Sequence, residues 1–267
     1  MLFSEETQCA AAGLLCAGLC ACSMLPKLET ASSPIDAALK TVAAVKEGED
    51  PVRLRAEDLD EEELFRAVEA IWPFACTMQL TVYAGGMLEI ELNEFTEAQQ
   101  AQAETLAQGM AKEAVAGLTQ DAEKLRALHD LLVRSCVYDL ETAEKEGATD
   151  GAAAPFTAYG ALVDGKAVCA GYARAFVLLC QAAGMDAIYI ADERMNHGWN
   201  AVRLDGKTYF IDCTFDDPVP DRGEYVSHEY FLRSAEELAE THTWDREFYE
   251  RVMDAKWGVS TANDTNS

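Results

Sequence analysis

The 267-residue chain carries 47 Asp and Glu against 21 Lys and Arg, a formal net charge of −26. That balance excludes a nucleic-acid binder, which needs a basic footprint for phosphates, and favours a well-solvated surface or cationic partners. The length suits one large domain, or a core with an extension.

Cys9 to Cys22 is an unbroken run of Cys, Ala, Gly and Leu. It is too short to span a bilayer as a helix but fits the apolar region of a signal peptide. Leu19-Cys20-Ala21-Cys22-Ser23 resembles the cleavage box of bacterial lipoproteins, which would make Cys22 a lipidated membrane anchor and the protein extracytoplasmic. Against this, Met1 to Gln8 holds Glu5 and Glu6 and no basic residue, where an export signal carries positive charge. A buried helix is the competing reading. We take 1–27 as this segment, with Lys27 to Ser33 as a linker.

An α+β extension is expected over 28–118. Leu59 to Ile71 reads as an amphipathic helix ending before Pro73. Met78–Tyr83 and Met87–Leu92 alternate around Gly85-Gly86, a hairpin signal, and Glu97 to Leu118 reads as a helix. The extension has no site of its own and suits a lid, a substrate-positioning module or padding for the core.

The core is expected over 119–258, followed by a tail at 259–267, with a disordered composition from Asp254 onward. Asp164-Gly165 and Gly184 bracket a helix over Ala167 to Ala183. Cys169, Tyr172, Ala173, Phe176, Cys180 and Ala183 recur at helical spacing, which gives an apolar face that can pack on a sheet. Cys169 lies in the first turn, where unpaired backbone N–H groups and the positive dipole end favour an anion and can face a developing oxyanion.

Ala187 to Ala191 suits a buried strand, and Asp205-Gly206 is a two-residue hairpin signal. Taken literally, that turn sets Leu204 opposite Lys207, Trp199 opposite Asp212 and His197 opposite Thr214. His197 and Asp212 then share one face as diagonal neighbours, roughly 7–8 Å apart at the backbone, within reach of an imidazole–carboxylate hydrogen bond. A one-residue slip would send the Asp to the other face. A helix packing its Cys169 end over that face closes a Cys169–His197–Asp212 triad of nucleophile, base and orienting acid. Each residue alone has a plainer reading: a small buried thiol, a structural imidazole, a turn former. The joint placement favours the triad. Trp199 shares the His197 face and is expected to line the cleft, whereas Asn200 points the other way toward a structural hydrogen bond. His129 is read as part of a helix contact, and His228 and His242 as structural or surface groups.

Four of the nine cysteines lie in 1–27, and the other five show no framework spacing, so no obligate disulfide network is expected. Without paired CxxC motifs or HExxH, neither a zinc site nor another cofactor is expected.

Lys124–Asp130 followed by Tyr138-Asp139, the run Tyr159 to Ala173, His197-Gly198-Trp199-Asn200, Asp212 to Pro218, and more weakly Tyr230-Phe231-Leu232 and His242, occur in that order. Together they resemble the transglutaminase-like superfamily within the papain-like thiol fold, over about Glu123 to Trp244. The base motif departs from the family at Gly198, where Ala is more usual. The resemblance implies an α+β fold with a Cys-bearing helix on an antiparallel sheet. It implies Cys169 as nucleophile, His197 as base and then acid, Asp212 as orienter, and Tyr159 as a hydroxyl near the oxyanion, although packing is the plainer role for that tyrosine. The implied chemistry is attack on a peptide or protein amide, with cell-wall or cell-surface peptides among the expected substrates, through a thioester. Water as the acceptor makes a peptidase or amidase, and an amine makes a transglutaminase. The alternative is a shell of the same fold that binds peptides without turning them over.

Overall fold

The computed structural model describes residues 28–258 except 58, 95, 146–150 and 152. The segment 1–27 with Cys22, and the tail 259–267, lie outside the described residues. No described helix is long and apolar enough to cross a membrane.

Capping residues set the first boundaries. Ser33 caps α1 (Pro34–Lys46) by accepting from the Asp36 N–H, with Pro34 at the helix start. Asp60 caps α2 (Glu61–Ile71) through the Glu63 N–H, so the helix begins past Leu59. β1 (Val52–Arg55), β2 (Cys76–Tyr83) and β3 (Met87–Glu94) form an antiparallel sheet of order β1-β3-β2. The β2–β3 hairpin turns at Gly85 and Gly86, both at positive φ. α3 (Glu97–Ala114) stops short of the expected Leu118, and Gly117 holds the left-handed conformation in the following turn.

α4 (Asp121–Ser135) leads into β4 (Val137–Tyr138) and the short α5 (Leu140–Ala143). β4 pairs in parallel with β5 (Lys166–Ala167), and this pairing holds the chain extended up to Val168, the N-cap of α6 (Cys169–Ala182). The helix therefore starts at Cys169 rather than at Ala167. β6 (Ala187–Asp192), β7 (His197–Leu204) and β8 (Lys207–Ile211) form the second antiparallel sheet, in that order. The β7–β8 register runs from Leu204 opposite Lys207 to Asn200 opposite Ile211, as the Asp205-Gly206 turn dictates. α7 (Ala235–Leu238) and α8 (Arg246–Trp257) close the chain. Helix α8 extends past Asp254 to Trp257, into the first residues of the stretch that composition marks as disordered. Its buried Val252 and Met253 hold it to the core, and the Trp257 indole donates to Asp186.

The fold is α+β, with the second sheet between two apolar layers. Ala187, Tyr189, Val202 and Ile211 pack with residues of α3, α4 and α6. Ile188, Ile190, Trp199, Ala201 and Phe210 pack with residues of α1, α2 and α8. Alternation along β7 places His197 with Trp199, on the face away from α6. The expectation that α6 lies over the His197 face is therefore corrected. β6 is apolar on both faces, so its pattern allows either docking.

Gly198 is explained by its neighbour. A Cβ there would lie 2.6 Å from Cε2 and 2.7 Å from the hydroxyl of Tyr189, whose ring lies across the strand. Gly198→Ala is expected to destabilise the fold by about 1–3 kcal/mol through overpacking. In a Tyr189→Val background the same change should cost much less, a non-additivity read by urea unfolding of the four proteins.

Candidate active site

Cys169 is the first residue of α6 and is half-buried. The turn Ala154–Phe156 presses on this helix start: Val168 N–H donates to the Pro155 carbonyl at 2.9 Å. Gly171 permits that approach, since a Cβ there would lie 2.5 Å from the same oxygen. The Tyr172 hydroxyl, one turn on, donates to Asp217 Oδ2 at 2.5 Å and ties the helix start to the segment after β8.

Asp212 opens that segment and is completely buried. Its Oδ1 accepts from the Thr214 N–H at 2.9 Å, the Thr214 hydroxyl at 2.6 Å and the Phe215 N–H at 3.0 Å. Its Oδ2 accepts from His197 Nε2 at 2.6 Å and from His242 Nε2 at 3.0 Å. His197, at the start of β7, also interacts with the Cys169 side chain, which favours its charged form. With Nε2 committed to Asp212, Nδ1 is the ring nitrogen left for the sulfur. Cys169, His197 and Asp212 thus meet in one cluster. They do so at the end of the sheet, where the start of α6, the first residue of β7 and the residue after β8 come together.

Burial works against charge on His197, but hydrogen bonds to Asp212 and Cys169, with the charges of those groups, outweigh it and push the imidazole up to about 10. Burial likewise opposes ionisation of Asp212. The two imidazoles and Thr214 more than offset this and hold the carboxyl well below its ordinary range.

Trp199 is only 1% exposed. Its ring stacks on His197 at 5.7 Å and meets His242 edge-on at 4.9 Å, so it backs the imidazoles instead of lining an open cleft. The aromatic ring at the surface of the site is Phe215, 44% exposed and 4.6 Å from the His197 ring. Tyr159 packs at the margin of the α3–α4–α6 core. The phenol that feels the Cys169 and Asp212 charges is Tyr138, which burial first, and then those charges, push up to about 12. Asn200 donates to the carbonyls of Ala173 and Ile188, bolting α6 to the sheet from the far face as expected.

His242 is the main residue that sequence reasoning missed. Of the two readings, structural or surface, burial against Asp212 excludes the surface one, and neither anticipated its contact with the Asp212 carboxylate. Its only signal is its place at the end of the family-like tail. His129 and His228 converge on Asp130 Oδ1 at 3.0 and 2.7 Å, and His129 Nε2 lies 3.2 Å from Asp216, which joins α4 to the turn after Asp212. Two groups therefore have the donor types and spacing to hold a metal among the described residues: His129, Asp130 and His228, and His197, Asp212 and His242. In each, the carboxylate is already engaged by both imidazoles. The five described cysteines are free thiols.

Residues 108–212 match the model of the transglutaminase-like superfamily, a span that includes Cys169, His197 and Asp212 and ends before His242. No curated protein matches the chain. Among solved structures, a TGase is 16% identical with a TM-score of 0.38, over 70% of this chain and 59% of that one. A candidate cysteine protease from Cytophaga hutchinsonii is 12% identical with a TM-score of 0.34, over 62% of this chain and 69% of the other. A candidate protease from Parabacteroides distasonis is 12% identical with a TM-score of 0.29, over 59% and 39%. The chain thus spans less than two thirds of the TGase that it matches.

The raised His197 value fixes a sign for stability. An imidazole that keeps its proton to about pH 10 when folded, against 6.5 as a free group, contributes stability that is fully present below 6.5 and lost as pH rises through 10. Asp212 acts at the other end: its contribution is present above the ordinary carboxylate range and lost as pH falls through its depressed folded value. The melting temperature should therefore fall between pH 6.5 and 10.5, and calorimetry should find a smaller fall over that interval in His197→Gln.

Proposed function

We propose, from the match of residues 108–212 to the transglutaminase-like superfamily, that the protein carries out thiol-dependent acyl transfer on amides of peptide or protein substrates. The observation that carries this reading is the chain of contacts from Cys169 through His197 to Asp212, with the His197–Asp212 hydrogen bond at 2.6 Å.

In the first half-reaction the Cys169 sulfur bonds to the amide carbonyl carbon, and the developing oxyanion faces the unpaired N–H groups at the start of α6. His197 delivers its proton to the departing nitrogen as the C–N bond breaks, leaving a thioester and a neutral imidazole. In the second, His197 takes a proton from water or an amine, which attacks the thioester carbon; the C–S bond breaks and the sulfur leaves as a thiolate beside the charged imidazole, the pair that opened the cycle. Asp212 holds the imidazole in orientation and stabilises its charged form. The acceptor decides between hydrolysis and transamidation. Binding without turnover would leave the Cys169–His197 contact without a role. The apolar run before Cys22 supports a further proposal, lipid anchoring outside the cytoplasm with cell-surface or wall peptides as substrates.

Cys169→Ala is expected to lower amide cleavage by roughly 10³-fold or more. The assay is a peptide library with and without added primary amine, read by mass spectrometry. Products carrying the amine identify transamidation, and free carboxylates identify hydrolysis. Unchanged turnover in the variant would remove the mechanism.

A further inference from the structure

One oxygen of Asp212 serves two imidazoles. Oδ1 is taken up by the Thr214–Phe215 turn, so orientation of the carboxylate does not depend on His242. What His242 adds is a second N–H at Oδ2, 3.0 Å away, on the oxygen that His197 uses at 2.6 Å. His242 is fully buried, its Nδ1 lies 2.9 Å from Thr241 Oγ1, and its ring is fixed between Trp199, Phe215 and Tyr230. It lies outside the span matched by the superfamily, 108–212.

A carboxylate oxygen that accepts two N–H bonds presents less negative charge to each donor. The charged and titratable groups around the pair are few. Cys169 faces His197 from α6, Asp212 lies between the two imidazoles, the Tyr230 ring lies 5.5 Å from that of His242, and Tyr138 feels Cys169 and Asp212 from β4. The second N–H on Oδ2 therefore acts directly on the hold that Asp212 has over the His197 proton.

We propose that His242 is a positioning residue of this site, which shares Asp212 Oδ2 with His197 and so loosens the hold of the carboxylate on the His197 proton. The inference rests on the thiol acyl-transfer reading. A histidine that must give a proton in one half-reaction and accept one in the next is hindered by a carboxylate that binds its charged form too tightly. His242 relieves that excess while keeping the buried Asp212 fully hydrogen-bonded.

The test is NMR titration of the His197 ring in full-length protein labelled with ¹³C-histidine. In His242→Phe, which keeps a ring but has no N–H, His197 should hold its proton to a lower proton concentration by about tenfold. In His242→Gln, whose amide can still donate to Oδ2, the titration should stay near that of the wild type. Thr241→Val, on the exposed side, removes the partner of Nδ1 and should move the titration the same way by less. It decides the matter if His242→Phe does not fold. A His197 titration unmoved in His242→Phe, or moved equally in His242→Gln, overturns the proposal. If only Thr241→Val can be read, no movement overturns it. Iodoacetamide labelling of wild-type Cys169 is followed in parallel. Labelling no faster than that of a free cysteine defeats the parent reading, whatever the histidines do.

Discussion

A carboxylate with no exposure to water governs this structure. Removing a charge from solvent is expensive, and the cost is tolerable only where hydrogen bonds and opposite charge replace the lost water. Asp212 finds five donors: three from its own turn and two from imidazoles distant in the chain. The start of β7, the end of β8 and the segment after α7 must therefore converge on one point. The Tyr172–Asp217 hydrogen bond then brings the start of α6 to the same place.

The layering explains how a helix and a sheet face that do not pack together can still cooperate. α6 covers one face of β6–β7–β8, while His197, Trp199 and Phe210 belong with the other. Cys169 reaches His197 because both stand at element termini, the sulfur on the first residue of α6 and the imidazole in the last β6–β7 pair, opposite Asp192. The same arrangement leaves Phe215 as an exposed apolar wall beside the imidazole.

Much of this was legible in the sequence, for identifiable reasons. Asp205-Gly206 fixes a register with no free parameter, so the diagonal relation of His197 and Asp212 follows from counting. Cys169 at a helix start follows from the turn at Asp164-Gly165, although the β4–β5 pairing, which apolar spacing cannot reveal, delays that start by two residues. The docking face of α6 was not legible because β6 is apolar on both sides. His242 was hidden because a buried histidine after a short helix has no periodicity to mark it. Its partner is thirty residues away, and only the tertiary fold joins them. Tyr138 and Tyr159 could not be ranked for the same reason, since proximity to the sulfur depends on how the chain between them is folded.

The Asn200 amide bonds to Ala173 and Ile188, and it sits well inside the sheet, away from the cluster at the rim. The start of α6 is thus held twice, by Asn200 from inside the sheet and by the Tyr172–Asp217 hydrogen bond beside the cluster. Were the Tyr172–Asp217 bond lost, a small tilt of α6 about Asn200 would be magnified at its tip, where sulfur and imidazole would separate while the hydrophobic layers remain shut. In such a design, precision at the rim is a property of the joint, and it can be lost through wear at the hinge long before the body of the molecule comes apart.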